Sequence, residues 1–136
     1  MIVVDACAWV HALVGAGSRA DAARDALTSD PEWLAPSHMP LEVLRTLRRG
    51  VAAGHLTRGE ASRCASVVSM TPLELVSPGA KVLSRVWTLQ DAVSIYDAPY
   101  VAIAEAMDAP LVTVDLKLAR AARAEGVLTF VPGDSP

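Results

Sequence analysis

SIYDAPYVAIAEAMDAPLVTVDLKLARAA, residues 94–122, reads as a helix, a turn, a short strand and a second helix. From Tyr96 to Met107 apolar residues occupy nearly every face, with alanines at 98, 102, 104 and 106. Such a helix is expected to be buried rather than merely amphipathic. Asp108-Ala109-Pro110 breaks it. Leu111-Val112-Thr113-Val114 is rich in β-branched residues and lacks polar alternation beyond Thr113, the pattern of a central strand in a parallel sheet. Two carboxylates frame the unit: Asp97 in the first turn of the helix, and Asp115 at the last position of the strand.

A helix that leads into a parallel strand runs opposite to it, so its N-terminus stands over the strand's C-terminal end. Asp97 and Asp115 are therefore expected at one edge of the sheet, the edge where open α/β sheets bind ligands. Each acid has a second reading as a helix cap, Asp97 for its own helix and Asp115 for the helix that starts near Leu116. What separates the readings is whether further acids reach the same edge.

Working outward, Ile2-Val3-Val4 is a buried first strand that ends at Asp5. Ala8 to Val14 reads as a short helix stopped by Gly15 and Gly17. Ser18-Arg19-Ala20-Asp21 resembles a capping box and opens a helix through Leu27. Trp33-Leu34-Ala35 is a candidate strand, and Pro36-Ser37 introduces a helix from about Met39 to Ala53, closed by Gly54. Leu44, Leu47 and Val51 form its expected inner stripe, and Glu42 sits in its first turns. Thr57 and Glu60 make a capping box for a helix to about Met70. Leu73 to Val76 alternates like a strand. Ser77-Pro78 follows as a cap with proline at the first helical position, and Val82, Val86 and Leu89 face inward. Leu116 to Glu125 is helical, Gly126 caps it, and Val127 to Val131 is a last strand.

Strands separated by single or paired helices imply one α/β domain, a largely parallel central sheet flanked by helices in an α/β/α sandwich. It spans residues 1–131, with residues 132–136 as a short, frayed C-terminal tail. With 136 residues, 52% apolar and 20% charged, the chain suits one compact core. The formal net charge of −3 excludes a generic basic nucleic-acid footprint, so a phosphate-bearing partner must be held locally or through a metal. Cys7 and Cys64 follow no metal-ligand spacing, which favours a reduced, cytoplasmic protein. No Lys or Arg precedes the first apolar run and Asp5 interrupts it, so it does not read as a secretory signal. No apolar segment is long enough to span a bilayer.

Asp5 ends the first strand, and the helix carrying Glu42 follows the Trp33 strand. Four acids from four segments, Asp5, Glu42, Asp97 and Asp115, therefore converge on one edge. Like charges gathered without Lys or Arg repel one another, and such a cluster persists when something cationic compensates it. Carboxylate-only ligation suits Mg²⁺ or Mn²⁺ and not zinc. That ion chemistry, activated water and a neutralised phosphorane, is what phosphodiester hydrolysis needs. Glu42 has a competing reading: on the helical wheel it falls opposite the Leu44/Leu47/Val51 stripe, near Arg45 and Arg49, as a solvated ion pair.

Taken together, VVDACAWV, PLEVLRTLRRG, YDAPYVAIAEAMDAPLVTVD and DLKLARAA resemble a PIN domain of the VapC type, the ribonuclease toxins of bacterial toxin–antitoxin pairs. The resemblance covers nearly the whole chain in order. It places the family's metal-binding acids on Asp5, Glu42, Asp97 and Asp115, and its supporting hydroxyl on Thr113. It implies an Mg²⁺- or Mn²⁺-dependent endoribonuclease, a homodimer, and inhibition by a cognate antitoxin. There are two departures. Cys7, a weak hydrogen-bond donor, stands where Ser or Asn is usual, which implies a looser Asp5. Pro99 replaces a bulky apolar residue and is expected to fix the start of its helix. Leu116 and Lys117 add no acid after Asp115, leaving a second metal open.

Arg19, Arg24, Lys117 and Arg120 are candidate contacts for RNA phosphates, and solvated helix faces account for them equally well. His11, His38 and His55 share no metal-like spacing and read as surface or cap residues; Trp9, Trp33 and Trp87 read as core or dimer-interface residues. A phosphatase of the haloacid dehalogenase type would want an Asp where Cys7 stands. A receiver domain would want an Asp ending a middle strand and a Lys ending a later one, which Val76-Ser77 and Val131 do not supply. A non-enzymatic α/β binding module, with the acids as caps, remains the alternative class.

Overall fold

The structure, a computed structural model, describes residues 1–134. Its elements run β1 (Ile2–Val4), α1 (Ala6–Val14), α2 (Ser18–Thr28), β2 (Trp33–Pro36), α3 (Met39–Ala52), α4 (Arg58–Met70) and β3 (Glu74–Val76). They continue with α5 (Ala80–Thr88), α6 (Ala98–Met107), β4 (Leu111–Val112), α7 (Leu116–Ala124) and β5 (Thr129–Phe130). The strands form one five-stranded sheet in the order β3-β2-β1-β4-β5, every neighbouring pair parallel. The expected sheet was largely parallel; among the described residues it is wholly so.

The chain builds outward from β1 to β2 and β3, then returns to the other side of β1 for β4 and β5. The reversal lies between β1 and β4, and a parallel sheet opens a crevice at that point, outside the strands' C-terminal ends. Because α1, α3 and α7 directly follow β1, β2 and β4, their N-termini all open there. The core is aliphatic: Val3, Val4, Leu34, Val43, Val101 and Leu111 are essentially inaccessible.

The expected buried helix is found. From Ala98 to Ala104 every residue of α6 is buried, and the helix packs across β1, β2 and β4. Pro99 lies in its first turn, where no amide donor is needed. The Thr57–Glu60 capping box is present, with both reciprocal hydrogen bonds.

Several boundaries differ from the sequence reading. Asp97 is the N-cap residue of α6 rather than part of its first turn. β4 closes at Val112, and Asp115 is the N-cap of α7 rather than the last strand residue. Gly17, not Ser18, occupies the cap position of α2, and Gly79 that of α5, so neither Ser18 nor Ser77-Pro78 caps a helix. In α3 the buried stripe is Met39, Val43 and Leu47, while Leu44 is 40% exposed. Packing rather than composition chose between two apolar flanks of that helix. Trp87 is exposed, whereas Trp9 is buried and meets Trp33 edge-on at 5.4 Å. The last strand is only Thr129–Phe130. The beginning of the expected tail turns back, the Asp134 N–H donating to the Val131 carbonyl; Ser135 and Pro136 lie outside the described residues.

Candidate active site

Asp5 is delivered by the end of β1 and is only 5% exposed. Its Oδ2 accepts two neutral donors, the Thr113 hydroxyl at 2.6 Å and the Cys7 thiol. Thr113 is fully buried one residue past β4, and its hydroxyl also accepts the Asp115 N–H at 3.0 Å. A single hydroxyl therefore ties the ends of the two strands that flank the reversal point. The expectation of a loosely held Asp5 is not met, because Cys7 and Thr113 together hold one oxygen of it.

Burial pushes the Asp5 pKa up to about 6, and the charges of Asp97 and Glu42 add to that rise against the two hydrogen bonds. Asp97 and Glu42 are therefore electrostatic neighbours of Asp5. No Lys or Arg forms an ion pair with any of the four acids among the described residues. The expected pair between Glu42 and Arg45 or Arg49 is absent. Glu42 instead takes the Tyr100 phenol on Oε1 at 2.6 Å, with His38 Nε2 3.4 Å from the same oxygen.

The cap reading splits. Asp97 occupies a cap position but its side chain makes no cap hydrogen bond. Asp115 does cap α7, its Oδ1 accepting from the N–H groups of Lys117 at 2.9 Å and Leu118 at 3.2 Å. Yet each anchored acid commits a single oxygen: Oδ2 of Asp5, Oε1 of Glu42, Oδ1 of Asp115. The second oxygen of each, and both oxygens of Asp97, carry no protein donor among the described residues. Capping and ligation are thus compatible in the same side chain.

The chemistry of these donors suits a hard divalent cation, although the side chains are not gathered into a ligand group. The set is all oxygen, negatively charged, partly desolvated and uncompensated by any cationic side chain. Among the described residues, no three His, Cys, Asp or Glu side chains stand together as a group that could hold a metal ion. What the edge offers is one buried carboxylate, Asp5, with Glu42 and Asp97 as charged neighbours and Asp115 joined to it through the Thr113 hydroxyl.

Sequence reasoning passed over three residues here. Tyr100 was read only as part of a buried helix, and its spacing one turn after Asp97 was the available signal. His38 stands at the N-cap position of α3, as a cap reading expects, but makes no cap bond. Its ring instead approaches the Tyr96 carbonyl at 2.9 Å and Glu42. Cys7 was noted as a departure and turns out to touch Asp5. Among the candidate RNA contacts, Arg24 is committed to the carbonyls of Ala12 and Gly15 and to Asp21. Arg19, Lys117 and Arg120 are exposed.

Comparisons with known proteins bear on the family and the fold. The family model described as PIN domain matches residues 2–124. Ribonuclease VapC1 of Mycobacterium tuberculosis is 34% identical over 119 residues, which is 88% of this chain and 89% of that protein. Among solved structures, Mycobacterium tuberculosis VapC20, a sarcin-ricin loop cleaving toxin, superposes with a TM-score of 0.72 at 18% identity, covering 97% of this chain and 100% of that one. A toxin–antitoxin complex from Klebsiella pneumoniae gives a TM-score of 0.61 at 17% identity over 85% of this chain and 87% of that one. At those identities the two structures speak for the fold alone.

Proposed function

The chain belongs to the PIN-domain family, alongside ribonucleases of the VapC kind, and from that premise we propose that its acidic edge hydrolyses RNA phosphodiester bonds with Mg²⁺ or Mn²⁺, as the toxin of a toxin–antitoxin pair. One observation carries the reading. Asp5 is a buried carboxylate with two acids as neighbours, no cationic side chain beside it, and an oxygen that no protein group uses. Asp5, Asp97 and Asp115 would hold the ion, with Glu42 completing the catalytic set. When bound, such an ion lowers the pKa of a water and offsets charge developing at phosphorus.

The chain's own groups set up the rest. Thr113 and Cys7 fix one oxygen of Asp5, and Thr113 also fixes the Asp115 backbone, so two acids keep a constant relation. The α-helix N-termini that open at this edge present partial positive charge toward an anionic phosphate. Without metal, burial and the neighbouring acids push the Asp5 pKa up to about 6; a bound cation would favour the carboxylate and pull it down. Lys117 and Arg120, on the helix that starts at Asp115, are proposed to steady the RNA backbone, with Arg19 as a further contact.

The antitoxin partner is supported by the fold likeness to the Klebsiella toxin–antitoxin complex. A homodimer is supported by the large apolar side chains left in solvent, with Leu41, Tyr96 and Trp87 each about two-thirds exposed. A cytoplasmic setting fits two unpaired cysteines, and none of the described helices is long and apolar enough to cross a membrane. The decisive experiment is cleavage of bulk RNA by purified protein with Mn²⁺ or Mg²⁺ and with chelator. Cleavage that persists undiminished in chelator would rule out the proposed chemistry.

A further inference from the structure

We infer that Tyr100 is a positioning residue for the reaction, a buried hydroxyl that turns Glu42 away from its neighbouring arginines and holds it at the acidic edge. This deepens, and rests on, the reading of that edge as a metal-assisted RNA-hydrolysing site. Tyr100 is 0% exposed, and a phenol sealed in a core without a partner carries a large penalty. It is three residues past Asp97 on α6, one turn on, so both side chains leave the same face of the helix.

The hydroxyl donates to Glu42 Oε1 at 2.6 Å. One hydroxyl therefore joins α6, which Asp97 precedes as N-cap, to α3, which carries Glu42. Burial and the charges of Asp5 and Glu42 hold the phenol protonated, which suits a donor and excludes a general base.

Glu42 needs such a device. Its helix offers Arg45 and Arg49 one and two turns on, and an unconstrained glutamate there pairs with arginine in solvent. Here it does not, and it lies close enough to Asp5 to raise that acid's pKa. His38 Nε2 also reaches Oε1, at 3.4 Å, but is nearer the Tyr96 carbonyl at 2.9 Å. The short bond is the one from Tyr100.

The test uses full-length wild-type protein, Tyr100→Phe, Glu42→Gln and the double variant. Three quantities are read: Mn²⁺ affinity by calorimetry, cleavage of bulk RNA as a function of pH, and metal-free melting. Phenylalanine keeps the ring in the core and removes only the hydroxyl. The expected result is a loss of about tenfold or more in cleavage, the usual range for an outer hydrogen bond that orients a residue of the site, with Mn²⁺ still bound. Because Tyr100 acts through Glu42, the double variant should cleave no more slowly than Glu42→Gln alone.

Independently of any variant, the wild-type protein should show a protected Tyr100 hydroxyl proton by NMR. Free exchange of that proton with water overturns the inference. So do losses that multiply in the double variant, or a Tyr100→Phe protein that melts earlier but keeps the wild-type cleavage rate and pH profile. Wild-type protein that neither binds Mn²⁺ nor cuts RNA is a different result. It overturns the reading of the edge itself, and the inference with it.

Discussion

Two regions of this molecule gather carboxylates and treat them in opposite ways. Beside α5, Arg85 reaches Glu105 through two hydrogen bonds of 2.7 and 2.8 Å, and Glu125 through a third. One guanidinium serves both acids, gripping Glu105 in the forked geometry that suits arginine and reaching Glu125 with a single bond. At the edge between β1 and β4, the charges of Glu42 and Asp97 bear on Asp5, and among the described residues no Lys or Arg pairs with any of the three. An acid used for structure comes with its counter-charge. An acid kept out of water without one destabilises the fold, and that pattern marks a working site.

The largest expected effect comes from breaking the edge at Asp97. Asp97→Asn should lower RNA cleavage by about a thousandfold, about 4 kcal/mol of transition-state stabilisation. The metal-free fold should be no less stable, since Asn caps as well as Asp and the native side chain makes no cap bond. Full activity in this variant removes Asp97 from the site, whatever the family does.

Next is the pH dependence of the metal-free protein. Asp5 ionises near pH 3.8 when unfolded and at about 6 when folded, so between those values the folded state binds more protons. Stability then falls as pH rises, by on the order of 3 kcal/mol across the interval from this one group. Asp5→Asn should flatten the fall. Mn²⁺ at a hundredfold over its dissociation constant should return about 2.7 kcal/mol at pH 7. Melting temperatures from pH 4 to 7, with and without metal, check both; a flat wild-type profile would contradict the buried, uncompensated carboxylate.

The contrast also explains what the amino-acid string could disclose. Asp5, Asp97 and Asp115 were visible because local signals place them: short β-branched runs, a proline break, and the antiparallel course of a helix that leads into a parallel strand. Thr113 was visible only through the family resemblance. Glu42 was readable in two ways, since α3 has apolar residues on two adjoining flanks and only packing shows that Val43, rather than Leu44, is buried. That rotation brings Glu42 within reach of Tyr100. The Tyr100 contact joins residues 58 apart, so no periodicity on either helix contains it. Helix starts at Ser18 and Ser77-Pro78 were misplaced by one or two residues, the scale at which neighbouring glycines override a favourable cap.

A smaller effect sharpens the comparison from its other side. Arg85→Met keeps the aliphatic stem and leaves Glu105 and Glu125 without a counter-charge. Both lie at the surface, about a quarter to a third exposed, so the expected cost is about 1 kcal/mol or less. RNA cleavage should not change. A drop in cleavage equal to that of an edge variant would erase the distinction between the two clusters.

The smallest expected effect is at Cys7, where the question is how finely the buried carboxylate is tuned. The thiol sits against Asp5 Oδ2 and 3.4 Å from the Thr113 hydroxyl. Burial and the Asp5 charge drive its pKa up, so it stays a neutral donor. A hydroxyl is a better donor than a thiol, so Cys7→Ser should hold the Asp5 charge more firmly and move its titration down. Cys7→Ala removes one of two donors and should move it up. Each shift should be below about one pH unit, since a neutral hydrogen bond contributes about 1 kcal/mol. Thr113 keeps its bond in both variants, so folding should survive in both. The pH midpoint of metal-free melting, compared across the three proteins, reads the order directly. Rapid alkylation of Cys7 at neutral pH, the mark of a thiolate, would reverse the argument, for then the sulfur would be a second charge at the edge instead of a donor to the first.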